Sequence, residues 1–167
     1  MSIVIPCYNE EENIRLLLKS IENIYYDNSE IILVDNGSSD NTSKIILEKI
    51  KSNKNNSLIL RHIKIKNNIG YGHGIMTGLK EAKGNILSWT HADLQTDIMD
   101  VYKAFKLFRQ ESDQKKIFLK GSRRKRPIID QLLTSGMSMI SSLLLNCKLN
   151  DINAQPKMFH NSFLKKI

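Results

Sequence analysis

Cysteine is scarce in this sequence. Cys7 and Cys147 are the only two in 167 residues, so neither a disulfide framework nor a cysteine-based metal site can be assembled within the chain. Both are expected as buried free thiols. The four histidines, His62, His73, His91 and His160, lack zinc-type spacing. Long apolar runs are missing too. The chain opens on Ile3-Val4-Ile5, far too short for the core of a signal peptide. No segment approaches the roughly 18 apolar residues that a membrane span requires. The expected location is therefore the cytoplasm, at most against a membrane surface. Internal repeats and low-complexity linkers are absent. Aromatic side chains are not interleaved with the densest basic run, which speaks against a stacking platform for nucleic acid.

What is present is an ordinary globular composition, 41% hydrophobic and 25% charged, with a formal net charge of +8. That length is enough to bury a real core as one domain, residues 1–167. A basic balance favours anionic partners such as phosphorylated substrates or acidic membrane surfaces. Most of the lysines are scattered, and solvation accounts for them.

Strand and helix patterns alternate. Ser2 to Ile5 is a short strand expected to stop at Pro6. Asn9 is placed to cap a helix with Glu10, Glu11 and Glu12 in its first turn, where carboxylates suit the helix dipole. Ile14, Leu17, Leu18 and Ile21 then mark one helical face. Ile31 to Val34 reads as a buried strand ending on Asp35, and Thr42 to Lys51 as a helix. Leu58 to Ile65 reads as a third strand, and the glycines from Gly70 to Gly78 open a helix running to about Ala82. Ile86 to Trp89 is a fourth strand, Ile98 to Phe108 an amphipathic helix, and Ile117 to Leu119 a fifth strand. Asp130 to Leu145 is an apolar helix, and Asp151 to His160 returns to the sheet. This alternation predicts an α/β fold, a mostly parallel sheet with helices on both faces.

Four stretches carry candidate chemistry. Ser88 to Asp97 crowds oxygen-bearing side chains at the end of the fourth strand, where open α/β sheets bind ligands. Asp93, Gln95 and Asp97 alternate, so an extended backbone would aim them one way, a donor set suited to Mg2+ or Mn2+. The alternative is that Asp97 caps the following helix and Asp93 sits in a solvated turn. Asp35, at the end of the second strand, can accept hydrogen bonds from a pyrimidine imide or a ribose hydroxyl, or cap its own turn. Gly70-Tyr71-Gly72-His73-Gly74 lacks the dinucleotide spacing but suits a phosphate-cradling loop before a helix. Lys120 to Arg126 places five cations in seven positions, and arginine is suited to bidentate phosphate contact. The serine-dotted apolar helix that follows suits either the core or a water–lipid interface.

Together, Ile3-Val4-Ile5-Pro6-Cys7-Tyr8-Asn9-Glu10-Glu11, Val34-Asp35-Asn36-Gly37-Ser38-Ser39-Asp40, Asn68-Ile69-Gly70-Tyr71-Gly72, Asp93-Leu94-Gln95, Gly121-Ser122-Arg123 and Asp151-Ile152-Asn153-Ala154-Gln155-Pro156-Lys157 resemble family 2 glycosyltransferases. The likeness is greatest to the dolichyl- and polyprenyl-phosphate sugar (mannosyl- or glucosyl-) transferases. The resemblance implies a GT-A fold and an inverting transfer from a GDP- or UDP-sugar with Mg2+ or Mn2+. It implies Pro6, Tyr8, Glu10, Asp35, Gly70, His91 and Asp93 around the nucleotide sugar, and Asp93 and Gln95 at the metal. It implies Arg123, with Arg126, at the acceptor phosphate, and Asp93 and Arg123 as the catalytic pair. About 1–97 would form the nucleotide-sugar half and about 98–167 the acceptor half. The domain would sit peripherally at the inner face of the cytoplasmic membrane and serve cell-envelope glycan synthesis, with no nucleic-acid partner. His91 stands where the family has the first acidic residue of Asp-x-Asp, and Asp97 is the candidate to compensate. Relatives commonly continue further, so the chain is expected to be a fragment. The family's processive members carry a Gln-x-x-Arg-Trp segment that this chain lacks, which leans towards a phosphate acceptor. A sugar-hydroxyl acceptor would need a base, Asp97 or Asp151, and a non-catalytic nucleotide-sugar-binding relative is the remaining alternative.

Overall fold

The computed structural model describes residues 1–22, 29–53, 58–123 and 128–166. Its strands are β1 (Ser2–Cys7), β2 (Ser29–Asn36), β3 (Leu58–Ile65), β4 (Ile86–Trp89), β5 (Phe118–Lys120) and β6 (Lys157–His160). The helices are α1 (Glu11–Glu22), α2 (Thr42–Ser52), α3 (Tyr71–Glu81), α4 (Ile98–Gln110) and α5 (Ile128–Leu144). One six-stranded sheet has the order β3-β2-β1-β4-β6-β5. Its first four strands are mutually parallel, while β6 runs antiparallel to both β4 and β5. The expected α/β layering is present, with this antiparallel edge added to it.

Alternation along the central strands divides the core into two layers. Ile3, Ile5, Ile31 and Leu33 face α1, α2 and α4, and Ile14, Leu17, Leu18 and Ile21 of α1 are all buried among them. Val4, Ile32, Val34 and Leu87 face the other way, against Ile75 and Leu79 of α3. Gly78 allows α3 to lie close to the sheet: a Cβ there would stand 2.4 Å from Val4 Cγ1 and 2.9 Å from Val34 Cγ2.

Two local expectations fail for physical reasons. β1 does not stop at Pro6 but runs on to Cys7. The Val4 carbonyl accepts from Thr90 N on the β4 side at 3.1 Å. Pro6, two residues on, faces that same side, and pairing with β4 has already ended at Val4 and Trp89. The missing proline N–H therefore leaves no gap in the ladder. Asn9 does not cap α1. It adopts φ 53°, and its Oδ1 accepts from Ser39 N at 2.9 Å. The helix start is satisfied from the β2–α2 turn instead. Glu10 N donates to Thr42 Oγ1 at 2.9 Å and Glu11 N to Asp40 Oδ2 at 3.0 Å. The Glu11 carboxylate returns the contact, accepting from Asn41 N and Nδ2.

Cys7 is buried as expected, whereas Cys147 is exposed. It lies just past α5. Ser138 is buried, and Ser142 Oγ donates to the Ser138 carbonyl and accepts from Leu149 N at 2.9 Å. Over residues 135–144 the large apolar side chains point outward, with Met139 71%, Leu143 83% and Leu144 78% exposed. No helix among the described residues is long and apolar enough to cross a membrane.

Candidate active site

The carboxyl ends of β1, β2 and β4 converge on a cleft of about 180 Å³. Pro6, Tyr8 and Glu10 line it from the β1–α1 turn. Asn36, Asn68 and Tyr71 line it from the β2 and α3 side, and His91 and Asp93 from beyond β4. Asn36 shapes one wall: its Nδ2 donates to Asn68 Oδ1 at 3.1 Å and to the Gly70 carbonyl at 3.0 Å. Asn68 Oδ1 also accepts from Gly70 N at 2.8 Å. This latch sets Gly70, at φ 126°, just ahead of α3.

Tyr71 then stacks on His91, with ring centroids 4.9 Å apart and planes 10° from parallel. Burial, aided by the Asp93 charge, pushes the Tyr71 phenol well above its ordinary range. Burial holds His91 below the usual imidazole range. Asp93 opposes that shift, while Lys157 and Arg123 reinforce it. The ring is thus biased towards its neutral form.

Asp93 sits in a sharp turn. Its Oδ1 accepts from Gln95 N at 3.0 Å, and Leu94 between them is held at φ 61°. A left-handed leucine costs about 1–2 kcal/mol, and such strain clusters at functional sites. The backbone here is bent rather than extended, so Asp93, Gln95 and Asp97 do not point together. Gln95 is exposed and outside the cleft lining. Asp97 caps α4, accepting from Met99 N at 2.9 Å.

At the end of β2, Asp35 is fully buried. One oxygen accepts from Ser38 N at 2.8 Å, as the turn-capping reading requires. The other carboxylate oxygen, and Asn36 Oδ1 beside it, have no hydrogen-bond partner. A buried unmet acceptor costs about 1–3 kcal/mol, so both are suited to N–H or O–H groups of a ligand.

Residues 2–147 match the family model for glycosyl transferase family 2. The chain belongs to this family. Solved structures share its fold. A mannosyltransferase from Pyrobaculum calidifontis, in complex with GDP-Man and Mn2+, is 21% identical with a TM-score of 0.71, over 99% of this chain and 45% of that one. Glucosyl-3-phosphoglycerate synthase from Mycobacterium tuberculosis, in complex with Mn2+, UDP and glucosyl-3-phosphoglycerate, is 18% identical with a TM-score of 0.73, over 99% of this chain and 58% of that one. TarS from S. aureus is 19% identical with a TM-score of 0.59, over 99% of this chain and 48% of that one. The chain thus spans about half the length of these proteins. No curated protein matches it. The fold is the GT-A fold.

Within this family 2 domain, the structure gathers Pro6, Tyr8, Glu10, His91 and Asp93 around one cleft. Asp35 lies buried beneath its rim, and Gly70 contributes only its backbone, through the Asn36 latch. Arg123 follows β5 and is held by Asp151. Its backbone N donates to Asp151 Oδ2 at 3.0 Å, and its Nε and a terminal nitrogen donate to Oδ1. Arg126 lies outside the described residues. Sequence reasoning missed Asn36, Asn68 and Tyr71. The signal for them was adjacency to Asp35 and Gly70, and position alone assigns no contact.

The donor set bears on a divalent cation. Among the described residues no group of three His, Cys, Asp or Glu side chains could cage a metal. Asp93 nevertheless lines the cleft and uses only Oδ1 in its own turn. One carboxylate completed by substrate phosphates and water is a normal way to hold Mg2+. The residues fit a cation shared with a bound diphosphate, and do not fit one held by the protein alone.

Proposed function

We propose that this domain is an inverting, metal-dependent glycosyltransferase that moves a sugar from a GDP- or UDP-sugar to a polyprenyl phosphate at the inner face of the cytoplasmic membrane. About 1–97 serve the donor and about 98–167 the acceptor. The observation that carries this reading is the state of the two candidate bases. Both oxygens of Asp151 accept from Arg123, and Asp97, whose Oδ1 caps α4, is not among the residues that line the cleft. A sugar-hydroxyl acceptor needs a free base, whereas a phosphate oxygen is already anionic and needs none.

In this reading the buried acceptors of Asp35 and Asn36 receive donor groups of the nucleoside. Pro6, Tyr8 and Glu10 form the floor opposite the Tyr71–His91 stack, and Arg123, with Arg126, orients the acceptor phosphate. An acceptor phosphate oxygen attacks the anomeric carbon from the face opposite the leaving group. The new C–O bond forms as the bond to the nucleoside diphosphate breaks, and the electron pair leaves on the β-phosphate oxygen. A divalent cation, when bound by Asp93 with the diphosphate, supplies the positive charge that eases this departure. The neighbours solved with GDP-Man and Mn2+ and with UDP and Mn2+ support the donor class and the cation. The outward apolar face of α5 supports a membrane surface.

The test is a thermal-shift screen of GDP- and UDP-sugars with and without Mn2+, followed by a transfer assay to polyprenyl phosphate in anionic vesicles. Stabilisation by one nucleotide class only when Mn2+ is present, and product in the lipid phase, are expected. Equal stabilisation with and without Mn2+ removes the metal, and transfer to a sugar hydroxyl instead removes the acceptor.

A further inference from the structure

Lys157 lies beyond the residues matched by the family model, and neither that match nor the motif it closes gives it a role. Lys157 opens β6, in register with Trp89 of β4 on one side and with Lys120 of β5 on the other. It is therefore fixed two residues along from His91 on one neighbour and three residues along from Arg123 on the other. Its backbone is anchored, since Ser88 Oγ donates to the Lys157 carbonyl at 2.7 Å. Its ammonium lies over the Trp89 ring, Nζ 5.2 Å from the centroid.

The ammonium is half-buried, and among the described residues no ion pair joins it to a carboxylate. Lys120 and Arg123 are close enough that, after burial, their charges are the main influences disfavouring its protonation, and only Asp151 opposes them. That carboxylate is already taken by Arg123. Among the described residues Asp151 is the one carboxylate set against Lys120, Arg123 and the half-buried Lys157 ammonium, and no ion pair joins it to Lys157. Such an arrangement destabilises the empty protein and is relieved by an anion. The anion would lie beside His91, because Lys157 and Arg123 both influence its ring.

We propose that Lys157 is a binding residue for the anionic group of the acceptor, its ammonium and the Arg123 guanidinium together holding a phosphate at the open end of the cleft. This rests on the glycosyltransferase reading and adds to it the residue that recognises the acceptor's charge. Arginine supplies a directional fork and lysine a compact point charge, so the pair suits a phosphate monoester bearing two charges. Two sources share that chemistry: the headgroup of a lipid phosphate and a free phosphorylated molecule.

The test uses the whole chain with Mn2+ and saturating GDP or UDP, whichever binds. Farnesyl phosphate and inorganic phosphate are titrated in turn against wild type, Lys157→Met and Lys157→Arg, and nucleotide affinity is measured separately. Methionine keeps a flexible stem over Trp89 and loses the charge. We expect Lys157→Met to weaken phosphate binding about tenfold or more, as loss of a charge-assisted contact predicts, with nucleotide affinity changed less than twofold. Lys157→Arg should restore most of the binding. Weakening of both probes identifies the phosphate itself as the ligand, and weakening of farnesyl phosphate alone identifies the lipid headgroup. The proposal is overturned if wild type binds neither probe, if Lys157→Met binds both as wild type does, or if it loses nucleotide in the same proportion. Should Lys157→Met melt far below wild type, Lys157→Arg decides: a folded arginine variant that fails to bind phosphate also overturns it. A wild-type chain that binds no nucleotide would instead defeat the glycosyltransferase reading, a separable result.

Discussion

The two halves of the sheet are stabilised differently. β1 and β2 are parallel and wholly buried, with helices over both apolar layers, and β3 flanks them as a partly exposed parallel edge. In the other half, β5 and β6 are three and four residues long, the charges are unbalanced, and α5 presents Leu143 and Leu144 to solvent. The first region is complete in itself. Among the described residues, the second leaves apolar surface and positive charge unmatched, and the proposed lipid-phosphate acceptor would use both.

The difference can be broken or sharpened experimentally. The largest effect is expected at the site the parallel half builds. Asp93→Ala should reduce transfer at least about a hundredfold, as loss of a transition-state charge contact does, and abolish the Mn2+ dependence of nucleotide affinity while leaving the melting temperature nearly unchanged. Titration calorimetry with and without EDTA reads this. Unchanged Mn2+ dependence would place the cation elsewhere.

Next come paired truncations. Ile31→Ala, at a fully buried position, should cost about 2–5 kcal/mol in urea unfolding. Leu143→Ser, at a position 83% exposed, should change stability by less than about 0.5 kcal/mol yet weaken binding to anionic vesicles several-fold. If Leu143→Ser proved as destabilising as Ile31→Ala, α5 would belong to the core and the contrast would disappear.

A smaller effect should appear on acidification. Glu30 lies at the amino ends of the parallel strands, opposite the cleft. Burial by itself would raise its pKa. Hydrogen bonds from Ser2 Oγ and Lys83 N, each 2.6 Å, and from Arg61 at 3.0 Å outweigh that, and the carboxyl is held below its ordinary value. A carboxyl depressed in the folded state stabilises fully above its unfolded pKa, about 4.3, and that contribution is lost as pH falls through the folded value. Urea midpoints should therefore fall below about pH 4.3, and Glu30→Gln should flatten that part of the profile. An identical acid limb in the variant would assign the loss to other carboxylates.

The smallest effect is Ser142→Ala. It removes the hydroxyl that ties α5 to Leu149 N and should cost about 1 kcal/mol, read as a shift of the urea midpoint. No shift would show that α5 is held by its other contacts.

Much of this was legible in the sequence where periodicity speaks. The α1 face of Ile14, Leu17, Leu18 and Ile21, the β3 limits and the strand before Asp93 all follow from spacing, because burial on one side enforces it. What failed depended on partners distant in sequence. Asn9 reads as a cap, but the amides of α1 are met from the turn at Asp40 and Thr42. Asp93, Gln95 and Asp97 alternate, but the left-handed Leu94 bends the backbone between them. Gly78 reads only as one of the glycines that open α3, and its role in the close packing of that helix depends on Val4 and Val34 of other strands. In α5 the serines and leucines are interleaved, and composition alone does not say which face is turned inward. Lys157 was hidden because its neighbours, Lys120 and Trp89, come from other strands.

The reciprocal contacts between the turn at Asn9 to Glu11 and the turn at Ser38 to Thr42 have a thermodynamic consequence. Asn9 N donates to Ser38 Oγ, Ser39 N to Asn9, Glu10 N to Thr42, Glu11 N to Asp40, and Asn41 N to Glu11. The two loops are ordered by one another when the chain folds. On the proposed function, their disorder is then not surrendered again when a nucleotide binds. The heat capacity change on nucleotide binding should then reflect only the surface the ligand covers, without the larger signature of a segment that folds around its ligand.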